Sequence, residues 1–229
     1  MQLKPHSFAN SNPQTRNAGF TLVEILIALV INILLLLALT SLFSSAVNHY
    51  NKISNVNLLN QQLQAAMQVM VNDIRRAGYW GNAQNDVGTH TNNNPFQVAA
   101  TDVTVTGSCI LFSYDYNSDG SIPTITSASD DERYGFRLNS SILQARPRGA
   151  TFDCAAAASA WENVSNPTII TITGLTFTLN STTVPSGAVS NSLRIRSVDI
   201  SLTGQLATDA TVTKTLTQHV RLRNDKFVS

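Results

Sequence analysis

The chain has 229 residues, with 15 Lys and Arg against 14 Asp and Glu, so its formal net charge of +1 offers no bulk attraction for nucleic acid or anionic lipid. Only 13% of its residues are charged, about half the usual share, while 43% are apolar, which excludes a disordered chain. The mean hydropathy of zero is that of an ordinary globular domain, but the average hides an apolar block near the N-terminus.

Residues 1–19 are polar and carry Lys4 and Arg16 with no acid. Residues 20–43 then read FTLVEILIALVINILLLLALTSLF, with Glu24 the only charge, and no further charge follows until Lys52. A membrane-spanning helix needs about 20 apolar residues, and residues 34–37, all Leu, leave no polar face for a buried soluble helix. A secretory signal would have a shorter apolar core of about 7–15 residues and a small-residue cleavage site. The basic flank stays cytoplasmic, which places the rest of the chain outside. Two polar residues stand in the span. Glu24 is costly at membrane depth unless it is paired or snorkels, and so marks a functional position. Asn32 lies about 18 Å from the helix start, where its amide either bonds a neighbouring helix or is simply tolerated.

The helix is expected to continue beyond the span. Val56, Leu59, Leu63, Met67, Met70, Ile74 and Ala77 recur at steps of three and four, an amphipathic stripe read as core packing. Arg75 and Arg76 followed by Gly78 form a stop signal. Asn48, Asn51 and Asn55 are poor helix formers and allow a bend. No Gly or Pro interrupts residues 20–77.

Past Gly78 the composition turns to Thr, Ser, Asn, Val and Ile. Residues 82–95 read as loop, and strands are expected at 101–106, 109–116, 134–138, 141–146, 168–173, 175–180, 193–203 and 211–223. In the last, Val212, Leu216, Val220 and Leu222 alternate with Thr and Arg, the mark of a half-buried strand. In 193–203 the phase slips at Ser197-Val198, which predicts a bulge. The expected fold is α+β, a long N-terminal helix packed on an antiparallel β-sheet head. Its parts are residues 1–19, a span at 20–47, an amphipathic continuation at 48–78 and a head at 79–229.

Cys109 and Cys154 are the only cysteines. In a head outside the cytoplasmic membrane they suggest a disulfide rather than two thiols, and the histidines are too scattered for a zinc pattern. Asp115, Asn117, Asp119 and Gly120 begin like a calcium loop, with oxygen ligands at positions 1, 3 and 5 and Gly at 6. Position 12 is Thr126 instead of a carboxylate, so Glu132, with Asp130 and Asp131 beside it, would have to fold back onto the ion. The alternative is an Asx-rich turn. Arg194, Arg196, Arg221 and Arg223 are read as a solvated sheet face balanced by acids rather than as a phosphate-binding stripe for DNA. No catalytic signature of the hydrolase, metalloprotease or P-loop type is present, so no enzyme is expected.

The string GFTLVE at 19–24, after a basic polar leader and before an apolar helix, resembles the prepilin signal of type IV pilins and type II secretion pseudopilins. The stretches RRAGYWG at 75–81, CILFSYD at 109–115, ERYGFRL at 132–138 and VRLRN at 220–224 resemble the PilW family of minor pilins. The J-type minor pseudopilin of type II secretion has a similar plan and remains the alternative.

The resemblance implies cleavage between Gly19 and Phe20 by prepilin peptidase and N-methylation of Phe20. It also implies pairing of Glu24 with the Phe20 amine of a neighbouring subunit. The implied partners are other minor pilins, the major pilin, the inner-membrane assembly platform and membrane lipid. The implied place is the inner membrane and then the pilus of a Gram-negative bacterium, and the implied role is initiation or assembly of type IV pili.

Overall fold

The computed structural model describes residues 19–86, 92–123, 131–147, 152–185 and 192–228. Residues 1–18 of the predicted leader, part of the 82–95 loop, Thr126 and Asp130 lie outside them. Contacts divide the chain into two compact units, Met1–Asn51 and Lys52–Ser229.

Helix α1 runs over Leu22–Ile74, through all three asparagines and without a break. In the first unit its described residues are all exposed, and the helix is long and apolar enough to cross a membrane. In the second unit the predicted stripe is buried from Leu59 onward, together with Ala66 and Val71. Val56, placed on the stripe from spacing alone, stays 39% exposed.

The helix stops at Ile74 rather than Ala77. Arg76 and Ala77 donate to Asp73 and Ile74, so the chain tightens to i→i−3 bonds. It then turns at Gly78, whose φ of +74° is in the left-handed region.

The head holds two antiparallel sheets rather than one. The first has the order β1 (Thr104–Thr106), β2 (Cys109–Ser113), β3 (Arg133–Asn139), β4 (Ile142–Arg146), β5 (Glu162–Asn163). The second has the order β6 (Ile170–Pro185), β7 (Ser192–Leu206), β8 (Thr213–Arg221), with β9 (Lys226–Val228) paired to β7. The two strands expected at 168–173 and 175–180 are one strand, β6. Its register shifts between Ile172, opposite Gly204, and Gly174, opposite Thr203. The bulge therefore falls at Thr173 and not at Ser197-Val198.

The apparent phase slip in β7 has another cause. Arg196, Val198, Ile200, Leu202 and Leu206 are all buried and alternate without interruption. An arginine occupies an inner-face position, which a reading based on apolar residues takes as a change of face.

One core cluster joins Leu59, Leu63, Met70 and Ile74 of the helix to Phe112 of β2, Phe136 of β3, Leu143 of β4, Ile172 of β6, Ile200 of β7 and Val220 of β8. The helix approaches β7 closely at Gly204, where a Cβ would stand 2.9 Å from the Leu63 side chain. A disulfide joins Cys109 to Cys154. It lies in a smaller cluster with Leu111 and Trp161, and the Arg137 guanidinium sits 4.3 Å over the Trp161 ring.

Removing a fully buried side chain from the stripe leaves a cavity. Met70→Ala is expected to lower the unfolding free energy of the head by about 2–5 kcal/mol in a urea titration. Leu58→Ala, at a site 39% exposed on the same helix, should cost about 1 kcal/mol or less.

Candidate functional site

The N-terminal motif is described within its own unit. Gly19 and Phe20 are both exposed. Thr21 precedes the first helical residue, and its Oγ1 accepts the Glu24 N–H at 3.3 Å. Glu24 Oε2 in turn accepts the Thr21 N–H and hydroxyl, each at 3.5 Å. This reciprocal pair is a capping box. The T-x-x-E spacing within GFTLVE carried that signal, although the sequence reading used Glu24 only as a charge. Asn32 donates its amide N–H to the Ala28 carbonyl of its own helix at 2.8 Å.

In the head, the four stretches that resemble minor pilins converge on the end of α1. The Arg75 carbonyl accepts from the Arg223 N–H, and the Arg76 and Ala77 carbonyls accept from the Asn224 amide at 3.3 and 3.1 Å. The Gly78 carbonyl accepts from the Asn94 amide at 2.9 Å, and the Gly78 N–H donates to Ser113 at the end of β2. The Tyr79 carbonyl accepts from the Asp115 N–H. Arg76 lies 4.2 Å over the Tyr114 ring, which stacks on Tyr134 at 4.1 Å. Asn94 had no sequence signal and Asn224 stood only as the last residue of the VRLRN stretch, because an amide that caps a distant helix is indistinguishable from a loop asparagine.

The loop after Tyr114 is built onto this turn. Asp115 Oδ2 accepts the Gly81 N–H at 2.8 Å and the Gly120 N–H at 3.0 Å. The Trp80 indole donates to the Gly120 carbonyl, and the Asn82 amide to the Asp119 carbonyl. Gly120 has φ +82°, and a Cβ there would fall 1.7 Å from the Asn82 amide nitrogen. Glu132 Oε1 accepts the Tyr116 N–H at 2.6 Å and the Asn117 N–H at 3.3 Å.

Of the four predicted ligands, Asp115, Asp119 and Glu132 come together, with one carboxylate oxygen of each within 4.8 Å of the others. Asn117 instead orients Asp119: its amide donates to Asp119 Oδ2 and its Oδ1 accepts the Asp119 N–H, both at 2.9 Å. Asp131 accepts from Arg133 at 3.2 Å and is outside the group. Burial pushes the Glu132 carboxyl up to about 7, with repulsion from Asp115 and Asp119 adding to the shift. Hydrogen bonds from Ser121 and Asn117 hold the Asp119 carboxyl below its usual value.

The four arginines do not form a solvated stripe. Arg196 is buried and pairs with Asp102, which also accepts from Lys226 at 2.7 Å. Arg196 also donates to the Asn224 carbonyl at 3.1 Å. Arg221 pairs with Asp225 at 3.0 Å, and β8 ends there, before Arg223.

Two parts of the chain match known families. Residues 14–41 match the prokaryotic N-terminal methylation motif, and residues 53–222 match prepilin peptidase-dependent protein B. The protein of that name from Escherichia coli (strain K12) is 27% identical over 158 residues, which cover 69% of this chain and 75% of the relative. No solved structure matches. A methylation motif leading a long apolar helix into an antiparallel head defines a pilin-like protein of the type IV minor pilin superfamily. Within it, the chain belongs to the family of prepilin peptidase-dependent protein B.

A carboxyl raised in the folded state binds more protons than in the unfolded chain between the two pKa values. Its contribution to stability is therefore full below pH about 4.5 and is lost as the pH rises through about 7. In chelator, the urea midpoint of the wild type should fall over that range relative to the Glu132→Gln variant, whose curve lacks this component.

Proposed function

We propose that the protein is a PilW-like minor pilin that takes part in initiating and assembling type IV pili. The observation that carries this reading is the exposed apolar helix of the first unit. It is long enough to span a bilayer, carries a methylation motif, and has Glu24 as its single charge between residues 20 and 51. Such a surface is stable only in lipid or against other helices.

In this reading residues 1–19 are a cytoplasmic leader, removed by prepilin peptidase between Gly19 and Phe20, and the Phe20 amine is methylated. The helix is held in the inner membrane with its N-terminus inside and the head in the periplasm of a Gram-negative cell. Glu24 then meets the Phe20 amine of a neighbouring subunit, a minor or major pilin, on the assembly platform. A carboxylate and an ammonium, each costly alone in an apolar setting, select the axial register at which they meet. Asn32 would add a contact through its amide oxygen or its second amide N–H, since one N–H is donated within the helix. The role is structural rather than catalytic.

Glu24→Ala should leave membrane insertion intact and lower surface piliation, and full piliation in that variant would refute the register role. Replacing Gly19 with a bulky residue should leave a heavier, uncleaved precursor on an immunoblot. Pull-down of the full-length protein should recover pilus components, whereas recovery of secretion components would move the protein to the type II machine.

A further inference from the structure

We propose that Asp115, Asp119 and Glu132 form a calcium site that fastens the 115–120 loop to the turn at the end of α1.

Asp115 and Glu132 are 1% and 2% exposed. Each presents one oxygen to two backbone N–H groups, Gly81 and Gly120 for Asp115, Tyr116 and Asn117 for Glu132. The other oxygens, Asp115 Oδ1 and Glu132 Oε2, are buried with no hydrogen-bond partner among the described residues. A bare buried carboxylate oxygen is costly, and here two occur in one three-carboxylate group. Among the described residues none of the three carboxylates forms an ion pair with a Lys, Arg or His. Two backbone donors on one oxygen fix each carboxylate in rotation, which leaves the second oxygen preset as a ligand.

Three carboxylate oxygens within 4.8 Å of one another can share one calcium ion, whose opposite ligands stand about 4.6–5.2 Å apart. Magnesium demands near-ideal octahedral geometry and gives up its waters reluctantly, which carboxylates already fixed by backbone donors are poorly placed to meet. Asp119 is exposed, and that open side leaves room for the waters that complete a calcium shell. All three donors are hard carboxylate oxygens, the chemistry calcium prefers.

The consequence reaches the helix end through short links. Gly81 holds Asp115, Trp80 holds Gly120 and Asn82 holds the Asp119 carbonyl. An ion that binds the three carboxylates therefore also immobilises residues 80–82, next to the carbonyls that Asn94 and Asn224 cap.

The test uses the full-length protein in detergent micelles, freed of metal with chelator, and follows thermal unfolding by tryptophan fluorescence near neutral pH. Calcium at ten times its Kd should raise Tm by about 3–6 °C, with saturation reached by about 5 mM. Magnesium at the same concentration should give less than half of that rise. Asp119→Asn should lower the calcium affinity, measured by titration calorimetry, at least tenfold, with the calcium-induced Tm rise read from the variant's own calcium-free baseline. Three results would each overturn the site: no Tm rise and no binding heat at 5 mM calcium, an equal rise with magnesium, or undiminished affinity in Asp119→Asn.

Discussion

The C-terminus of α1 is the constraint on which the head depends. Carbonyls just past a helix's last turn have no intrahelical partners, and here those of Arg75 to Tyr79 are bonded from within the protein. Their partners come from places far apart in the chain: Asn94, the Asp115 N–H just after β2, and Arg223 with Asn224 beyond β8. The first sheet meets the helix end through β2 and the second through the segment after β8. Satisfying one set of carbonyls therefore fixes both sheets against the same turn. Gly78, with its positive φ, makes the turn, and Arg76 closes it over the stacked tyrosines.

Buried charge in the head is handled in two ways. Arg196 enters the inner face of β7, an expensive place for a guanidinium. Asp102 compensates it, shares its other oxygen with Lys226 of β9, and so ties the short terminal strand to the segment before β1. The arrangement is closed, because cations and carboxylate meet within the chain. Around Asp115 and Glu132 the arrangement is open. Backbone donors satisfy half of each carboxyl group, and the three carboxyl groups face one another with no cation between them among the described residues. Both groups are linked to the helix end by hydrogen bonds, so the same region carries one cluster of opposite charges in contact and one of carboxylates alone.

Regular periodicity made the helix and most strands legible from sequence. The stripe from Leu59 to Ile74 and the alternation from Val212 to Leu222 mark their buried faces, and the Cys109–Cys154 pairing follows from there being two cysteines in a β head. Legibility failed where a polar residue did the work of an apolar one. Arg196 on an inner face looked like a bulge, and the true bulge at Thr173 was hidden because it split an apolar run into two apparent strands. β5 and β9, of two and three residues, are too short to show a period. The acidic group was legible as Asp115, Asp119 and Glu132, but Asn117, which fits the spacing of a ligand, is used to orient Asp119. Spacing places an oxygen near a point without saying which way the side chain turns.

The described residues of the first unit, unlike those of the head, include no buried side chain. From Gly19 to Asn51 every residue is exposed, so no packing among them offsets the cost of their apolar surface. In the capping box at its start Glu24 meets, among the described residues, the neutral donors of Thr21 at 3.5 Å. Long bonds to neutral groups orient a carboxylate but do not neutralise it. In the assembly we propose, the capping box therefore has a second consequence: it holds the Glu24 side chain back along the helix, toward the end where a neighbour's amine would arrive. The helix start would then present a fixed charge rather than a mobile one, and a fixed charge discriminates between axial registers more sharply than one that can follow its partner.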